Sequence, residues 1–189
     1  YLKTAKGFVY LTALIDVVSR CVMGWHLSNL LDTESCLRAL EMAIYTGYKP
    51  KIINSDQGCQ FTAQEWLYAL SLLRIQVSMD GKGRWADNIM IERFWRTLKY
   101  EEVYLKTYET LPEAREEIAA YIHWYNHKRR HSSLKKQKPY EVMTGSINTL
   151  CDNGENPNGF TPIPTKSTST TKPLKKIKKI VNLSSKLAA

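Results

Sequence analysis

Two carboxylates, Asp56 and Glu92, with thirty-five residues between them, stand in segments of different character. Asp56 follows the apolar run Lys51-Ile52-Ile53-Asn54-Ser55 and precedes Gln57-Gly58. Glu92 lies in Ile91-Glu92-Arg93-Phe94-Trp95-Arg96-Thr97-Leu98-Lys99, which reads as a helix. One carboxylate at the end of a buried strand and another on a helix can converge on the same hard cation. Such a pair is part of what a two-metal phosphoryl-transfer site requires. Taken singly, each residue is more readily a turn carboxylate or a solvated helical acid.

The elements that must position the pair are readable from periodicity. Residues 8–17 form a nearly continuous apolar, β-prone run and Arg20–Leu27 another, with Ser19-Arg20 at the turn, so a hairpin inside a sheet covered on both faces is expected. Thr33 opens a helix with Leu37, Leu40, Met42 and Ile44 on its apolar face, ended by Gly47. Lys51–Ser55 is a short buried strand. Thr62 is expected to cap a helix running to about Leu73, with Trp66, Leu67, Leu70 and Leu73 inward. Ile75–Met79 reads as an edge strand, Asp80–Trp85 as a flexible basic loop, Asp87–Tyr104 as a long helix, and Pro112 opens another helix to about Arg129. Strands followed by alternating helices and strands indicate a mixed α/β sheet.

Charge and composition narrow the partners. Of the formal net charge of +9, residues 152–189 carry +5, because seven Lys face only Asp152 and Glu155. A basic body with a basic tail suits a polyanion. Cys21, Cys36, Cys59 and Cys151 show no metal-ligand spacing and read as ordinary thiols of a reducing compartment. No run of about 18 apolar residues occurs, so no membrane span is expected. Beyond residue 151 the chain is rich in Asn, Pro, Ser, Thr and Lys and reads as disordered.

Five blocks, in order, resemble one family. They are Gly7-Phe8-Val9-Tyr10-Leu11 with Ile15-Asp16-Val17-Val18-Ser19-Arg20, then Gly24-Trp25, then Ser55-Asp56-Gln57-Gly58-x-Gln60-Phe61. Next come Ala86-Asp87-Asn88-x-x-x-Glu92-Arg93-Phe94 with Leu98-Lys99, and finally Tyr125-Asn126-x-x-Arg129-Arg130-His131-x-x-Leu134 with Pro139. From Tyr1 to about Gly145 the chain is similar to the catalytic core of insertion-sequence transposases encoded in a second reading frame, within the ribonuclease-H-like integrase superfamily. The resemblance implies a ribonuclease-H-like mixed sheet flanked by helices over residues 1–146, followed by a low-complexity basic tail over 147–189.

The same resemblance implies that Asp56 and Glu92 are catalytic metal ligands, with two Mg²⁺ or Mn²⁺ ions in the complete site and DNA as substrate. It implies a multimer in the complete protein and a location with the DNA, in a bacterial cytoplasm or, in a eukaryotic host, the nucleus. Gly58 leaves room for backbone approach to DNA. Arg96 and Lys99, at i+4 and i+7 from Glu92, share its helix face and are candidates to grip phosphates. Lys82 and Arg84 in the basic loop, with Trp85 able to stack on a base, are further candidates. So are Arg129, Arg130 and His131, which equally fit a solvated helix end.

The family's first catalytic Asp is expected three positions before Tyr1, on a strand of which Tyr1-Leu2 is the end. Asp16 is expected to be a structural turn acceptor instead. With most of that first strand missing, apolar edges are expected to be exposed and the isolated chain to be poorly stable and inactive on DNA. The alternative is an inactive remnant that binds DNA by charge. The tail departs from the family pattern and reads as an unstructured arm or readthrough.

Overall fold

In the computed structural model, residues 1–5, 7–79 and 88–145 are described, together with the backbone of Thr161–Pro162. The basic loop and most of the tail, including Cys151, lie outside the described residues. Three antiparallel strands open the chain: β1 (Leu2–Thr4), β2 (Gly7–Ile15) and β3 (Val22–Ser28), in the order β1-β2-β3. The β2–β3 turn is closed by Asp16, whose carboxylate accepts from the Ser19 backbone N–H at 2.7 Å and the Ser19 hydroxyl at 2.5 Å. Arg20 takes a left-handed φ of 63° there. Asp16 is thus a buried turn acceptor.

Helix α1 (Thr33–Tyr45) follows, opening at Thr33 as expected and capped by Asp32, whose carboxylate accepts the Ser35 N–H at 2.9 Å. Leu37 and Leu40 are fully buried, whereas Met42 is 44% exposed, one position off the buried face. After the two-residue β4 (Tyr48–Lys49), which pairs with β7 (Thr161–Pro162), comes β5 (Ile52–Ser55). A single helix from Thr62 does not form. One turn, α2 (Cys59–Thr62), is followed by extended Ala63 at ψ 142° and then α3 (Gln64–Leu72). Leu67 consequently faces outward while Trp66, Leu70 and Leu73 are buried. Strand β6 (Gln76–Met79) pairs parallel with β5.

Helix α4 (Ile89–Glu101) is shorter than its pattern suggested, ending in a 3-10 turn at Val103–Leu105. Helix α5 (Leu111–His127) begins with a capping box in which Thr110 accepts from the Glu113 N–H and the Glu113 carboxylate accepts from the Thr110 N–H.

The strands do not form one continuous sheet. β1-β2-β3 and β5-β6 are separate, and β1 covers β2 only at Gly7–Val9. On that side of β2, no strand pairs with Tyr10–Ile15 among the described residues. The numbers of each β1–β2 pair add up to eleven, so a residue three positions ahead of Tyr1 would stand opposite Ala13.

Two cores flank this gap. β1, β2 and β3 pack with α4 and α5 around Phe94, Leu98 and Ile118; α1, α3 and β5 pack around Leu40, Trp66 and Leu70. Helix α1 also lies on β3 so closely that a Cβ added at Gly24 would fall 2.1 Å from the Ala39 carbonyl oxygen and 2.7 Å from the Ala43 nitrogen. Both obstacles are backbone, so neither can yield without lifting the helix. Gly24→Ala is therefore expected to destabilise the chain by about 3 kcal/mol or more, read as a shift of the urea midpoint at unchanged slope. A loss under about 1 kcal/mol would contradict this packing.

Candidate active site

Asp56 is placed by β5. Ile53 and Ser55 face the α1–α3 core, and the strand ends at Ser55, so Asp56 emerges exposed at the mouth of a cleft. Its position is held from within the motif: the Gly58 N–H donates to Asp56 Oδ1 at 2.9 Å. A Cβ on Gly58 would lie 2.9 Å from that same oxygen, so the glycine is needed by the carboxylate that folds over it. Gly58 has an ordinary φ of −57°, so the requirement is space rather than unusual backbone geometry.

Glu92 is placed by α4. Ile91, Phe94, Trp95 and Leu98, at i, i+3, i+4 and i+7, turn into the core of the three-stranded sheet. That stripe leaves Glu92 exposed in the first turn, where the helix dipole favours a negative charge.

The two acids, one from each core, line a single cleft of about 740 Å³ between β2 and β5. Their oxygens suit hard divalent cations such as Mg²⁺, which bind through one or two carboxylates and retain water. Asp56 keeps Oδ2 outside its Gly58 bond, and Glu92 forms no ion pair with Arg96 among the described residues. The donor set therefore fits a Mg²⁺ or Mn²⁺ ion. No group of three or more His, Cys, Asp or Glu arranged to hold a metal occurs among the described residues.

The position opposite Ala13 bears on that count. Leu11, Ala13 and Ile15 pack toward α4 and α5, whereas Leu14 packs toward α1. Cross-strand partners share a face. A side chain opposite Ala13 would thus project on the α4 side of the sheet, the side of Glu92.

The remaining candidate residues divide. Arg96 is exposed and lies 5.9 Å from the Tyr100 ring centroid; Lys99 stands 5.6 Å from that of Tyr1. Lys82 and Arg84 lie outside the described residues. Arg130 is exposed, with Nη1 donating to the Lys136 carbonyl at 3.4 Å.

Arg129 instead forks onto Glu101 at the end of α4, with Nε at 2.8 Å and Nη2 at 2.5 Å. The Tyr121 hydroxyl donates to the same carboxylate at 2.9 Å. Burial alone would push Glu101 up, but the hydrogen bonds from Arg129 and Tyr121 outweigh it and hold its carboxyl below the usual range. His131 is buried edge-on against Tyr125. Burial and the Arg129 charge lower its pKa to about 4.

Asn126, which sequence reasoning passed over, exchanges two hydrogen bonds with Val22. Its amide donates to the Val22 carbonyl and its oxygen accepts the Val22 N–H, each at 2.9 Å. Asn126, Arg129 and His131 thus clamp α5 and α4 to the sheet. The buried Cys21 and Cys36 thiols are both pushed up to about 12 by burial, first of all, and by nearby Asp16 and Asp32 respectively. They stay protonated.

The clamp has a pH signature. An unfolded histidine titrates near 6.5, so on acidification the unfolded chain takes up a proton that folded His131 refuses until about pH 4. Stability is expected to fall as pH drops from 6.5 toward 4, by up to about 1.4 kcal/mol per pH unit from this residue. His26 and His127, also lowered, add in the same direction. His131→Gln should flatten the fall in Tm between pH 6.5 and 4.5; an unchanged slope would contradict the assignment.

Residues 1–84 and 73–139 each match a family described as integrase core domain. The transposase for insertion sequence element IS904 of Lactococcus lactis is 36% identical over 143 residues, 74% of this chain and 56% of that protein. An uncharacterized transposase-like protein of Haemophilus influenzae is 34% identical over 148 residues, 77% of this chain and 68% of that one. The chain thus spans only part of the curated relatives it matches.

Among solved structures, a chain of the simian T-cell lymphotropic virus intasome superposes with TM-score 0.64 at 17% identity, over 75% of this chain and 50% of that one. The HTLV-2 integrase catalytic core domain in complex with magnesium gives 0.53 at 17% identity, over 74% and 88%. At such identities these structures fix the fold, a ribonuclease-H-like α/β core. The sequence relatives place this chain in the family of insertion-sequence transposases that carry an integrase core domain.

Proposed function

We propose that this chain is catalytic-core material of a DNA transposase, and that Asp56 and Glu92 are two ligands of its divalent-metal site. The observation that carries the reading is that two acids from separately packed cores line one cleft. Membership in the transposase family supports DNA as the substrate, and the magnesium complex of the HTLV-2 core supports the metal. When bound, the metal would activate an oxygen nucleophile and relieve charge on the leaving 3′ oxygen.

The protein's own part is positional. Gly58 holds Asp56 by one oxygen and leaves the other for the cation. The apolar stripe of α4 sets Glu92 toward the cleft. Arg96, one turn along on the same face, and Lys99 supply cationic partners for DNA phosphates. Arg130 is exposed for the same use, whereas Arg129 and His131 act through the clamp. Lys82 and Arg84 remain proposed DNA contacts by their charge and by their place in the sequence between the two acids. In the assembled transposase the core works as a multimer, as the intasome and the trimeric HTLV-2 core do.

Two acids do not orient two metals, because ligand number and direction set such a site. The chain of residues 1–189 is therefore proposed to bind DNA without joining it. A third carboxylate opposite Ala13 would project on the side of Glu92 and complete the site.

The test fuses Val-Val-Asp-Val-Val ahead of Tyr1 and supplies Mg²⁺ or Mn²⁺, a donor oligonucleotide with a free 3′-hydroxyl and a target duplex. Joined product is expected from the fusion and not from the unextended chain. Asp56→Asn or Glu92→Gln should each lower it by about a hundredfold or more, and Gly58→Ala by less. Joining that survives both acid substitutions would overturn the reading. Metal-independent DNA binding that weakens steeply with salt, with no joining in any form, would mark a charge-driven binder instead.

A further inference from the structure

We propose that His123 and His127 form a separate metal site, for a borderline transition-metal cation such as Zn²⁺, Ni²⁺ or Cu²⁺, on the last turn of α5. The site shares no residue with the cleft of Asp56 and Glu92 and does not rest on the reading given to that cleft.

The helix supplies the spacing. Positions i and i+4 lie one above the other on a helix surface, with Cβ atoms about 5–6 Å apart. Two histidines at that spacing are a recurring zinc-binding element of helices. Here the ring centroids stand 4.5 Å apart and the ring planes are tilted by 31°. With Zn–N bonds of about 2.0–2.1 Å, one ion bridges ring nitrogens up to about 4 Å apart. The nitrogens lie at the ring edges, so small side-chain rotations bring a pair of them within that reach.

The surroundings leave the pair ready for an ion. The His127 ring also packs on Tyr140, in helical residues 139–145, with centroids 4.3 Å apart and planes tilted by 40°. Contact with both rings restricts the His127 side chain before any ion arrives, which lowers the ordering cost of binding. His123 is exposed and His127 half-buried, so an ion can approach from solvent. Among the described residues, no hydrogen bond or ion pair engages either imidazole. His131, four positions further on, does not extend the pair, because it is buried edge-on against Tyr125.

The chemistry of imidazole selects the ion. An ordinary histidine titrates near 6.5, so at pH 7.5 both rings are in the neutral, ligating form. Imidazole suits Zn²⁺, Ni²⁺ and Cu²⁺, whereas Mg²⁺ keeps oxygen ligands. Water completes the coordination. Lys128 is exposed, so its charge on the ion is screened.

An ion there would staple the turn on which the clamp depends. The Trp124 carbonyl, inside that turn, accepts the Lys128 N–H at 2.8 Å and the Arg129 N–H at 3.0 Å. Arg129 then forks onto Glu101 of α4. Closing the turn from 123 to 127 would hold this helix end together.

The experiment uses residues 1–189 with Cys59→Ser and Cys151→Ser, which removes two thiols that could compete for soft cations. Zinc chloride is added at pH 7.5 while the ring C–H signals of the four histidines are followed by NMR. The signals of His123 and His127 should move together, and those of His26 and His131 should stay. Mg²⁺ at the same concentration should move none of them. His123→Gln and His127→Gln, both surface changes, should each weaken binding by about tenfold or more. At saturation the Lys128 and Arg129 amides should exchange more slowly, and Tm should rise with zinc in the parent but not in His123→Gln.

Zinc that moves only one of the two rings, or that binds His123→Gln as well as the parent, would overturn the proposal. A dissociation constant weaker than about 1 mM would mark an adventitious ion only and overturn it equally. Unchanged exchange at Lys128 and Arg129 under saturating zinc would overturn the staple.

Discussion

Everything at the candidate site depends on helix α1 being wedged between two structures that share no backbone hydrogen bonds among the described residues. Asp56 belongs to the parallel pair β5-β6, and Glu92 to a helix packed on the antiparallel β1-β2-β3. What fixes one acid relative to the other is burial on α1. Leu37, Leu40 and Ile44 anchor β5 and α3, while the backbone of the same helix at Ala39 and Ala43 sits against Gly24 of β3. Apolar contact is not directional, so the geometry comes from close packing. The Gly24 contact, closer than any side chain would allow, sets the height of α1 above the sheet.

A second constraint keeps Glu92 in place from the far end of its helix. Glu101, nine residues on, is held by a forked guanidinium and a tyrosine hydroxyl, while Asn126 completes the hydrogen bonding of Val22 as a neighbouring strand would. Charge-assisted, bidentate bonds have a defined geometry that apolar packing lacks. The basic closing block therefore has two uses along its length. Arg129 and His131 face inward and fix helices, and Arg130 stays in solvent.

Much of this was legible in the sequence, for identifiable reasons. Asp56 and Glu92 stand in blocks whose neighbours, Gly58 and the 91-94-95-98 stripe, are dictated by the same geometry that places the acids. The strands were legible because both faces of the β2–β3 hairpin are covered, leaving long apolar runs. Other features depend on contacts distant in sequence. Met42 and Leu67 are apolar yet exposed, because a helix face is chosen by what lies across from it. Glu101, the partner of Arg129, is 28 positions away, so the arginine reads as free charge in the linear sequence. The break at Ala63 and the capping box at Thr110 are local, and the Thr-x-x-Glu signature of the latter was available before the structure. The unpaired edge of β2 beyond Val9 was legible only through the family resemblance, since no residue of β2 itself signals it.

The central claim is that Asp56 and Glu92 serve one cation. Paramagnetic broadening by Mn²⁺ tests it most directly, because it reports proximity to the ion without requiring turnover. The account predicts that the amide signals of Gly58 and Arg93 broaden together at the same low Mn²⁺ concentration, and that Asp56→Asn abolishes the broadening at both. Broadening confined to one of the two, or persisting at Arg93 after Asp56 is neutralised, would mean that the acids bind separately and that the cleft is not a shared metal site.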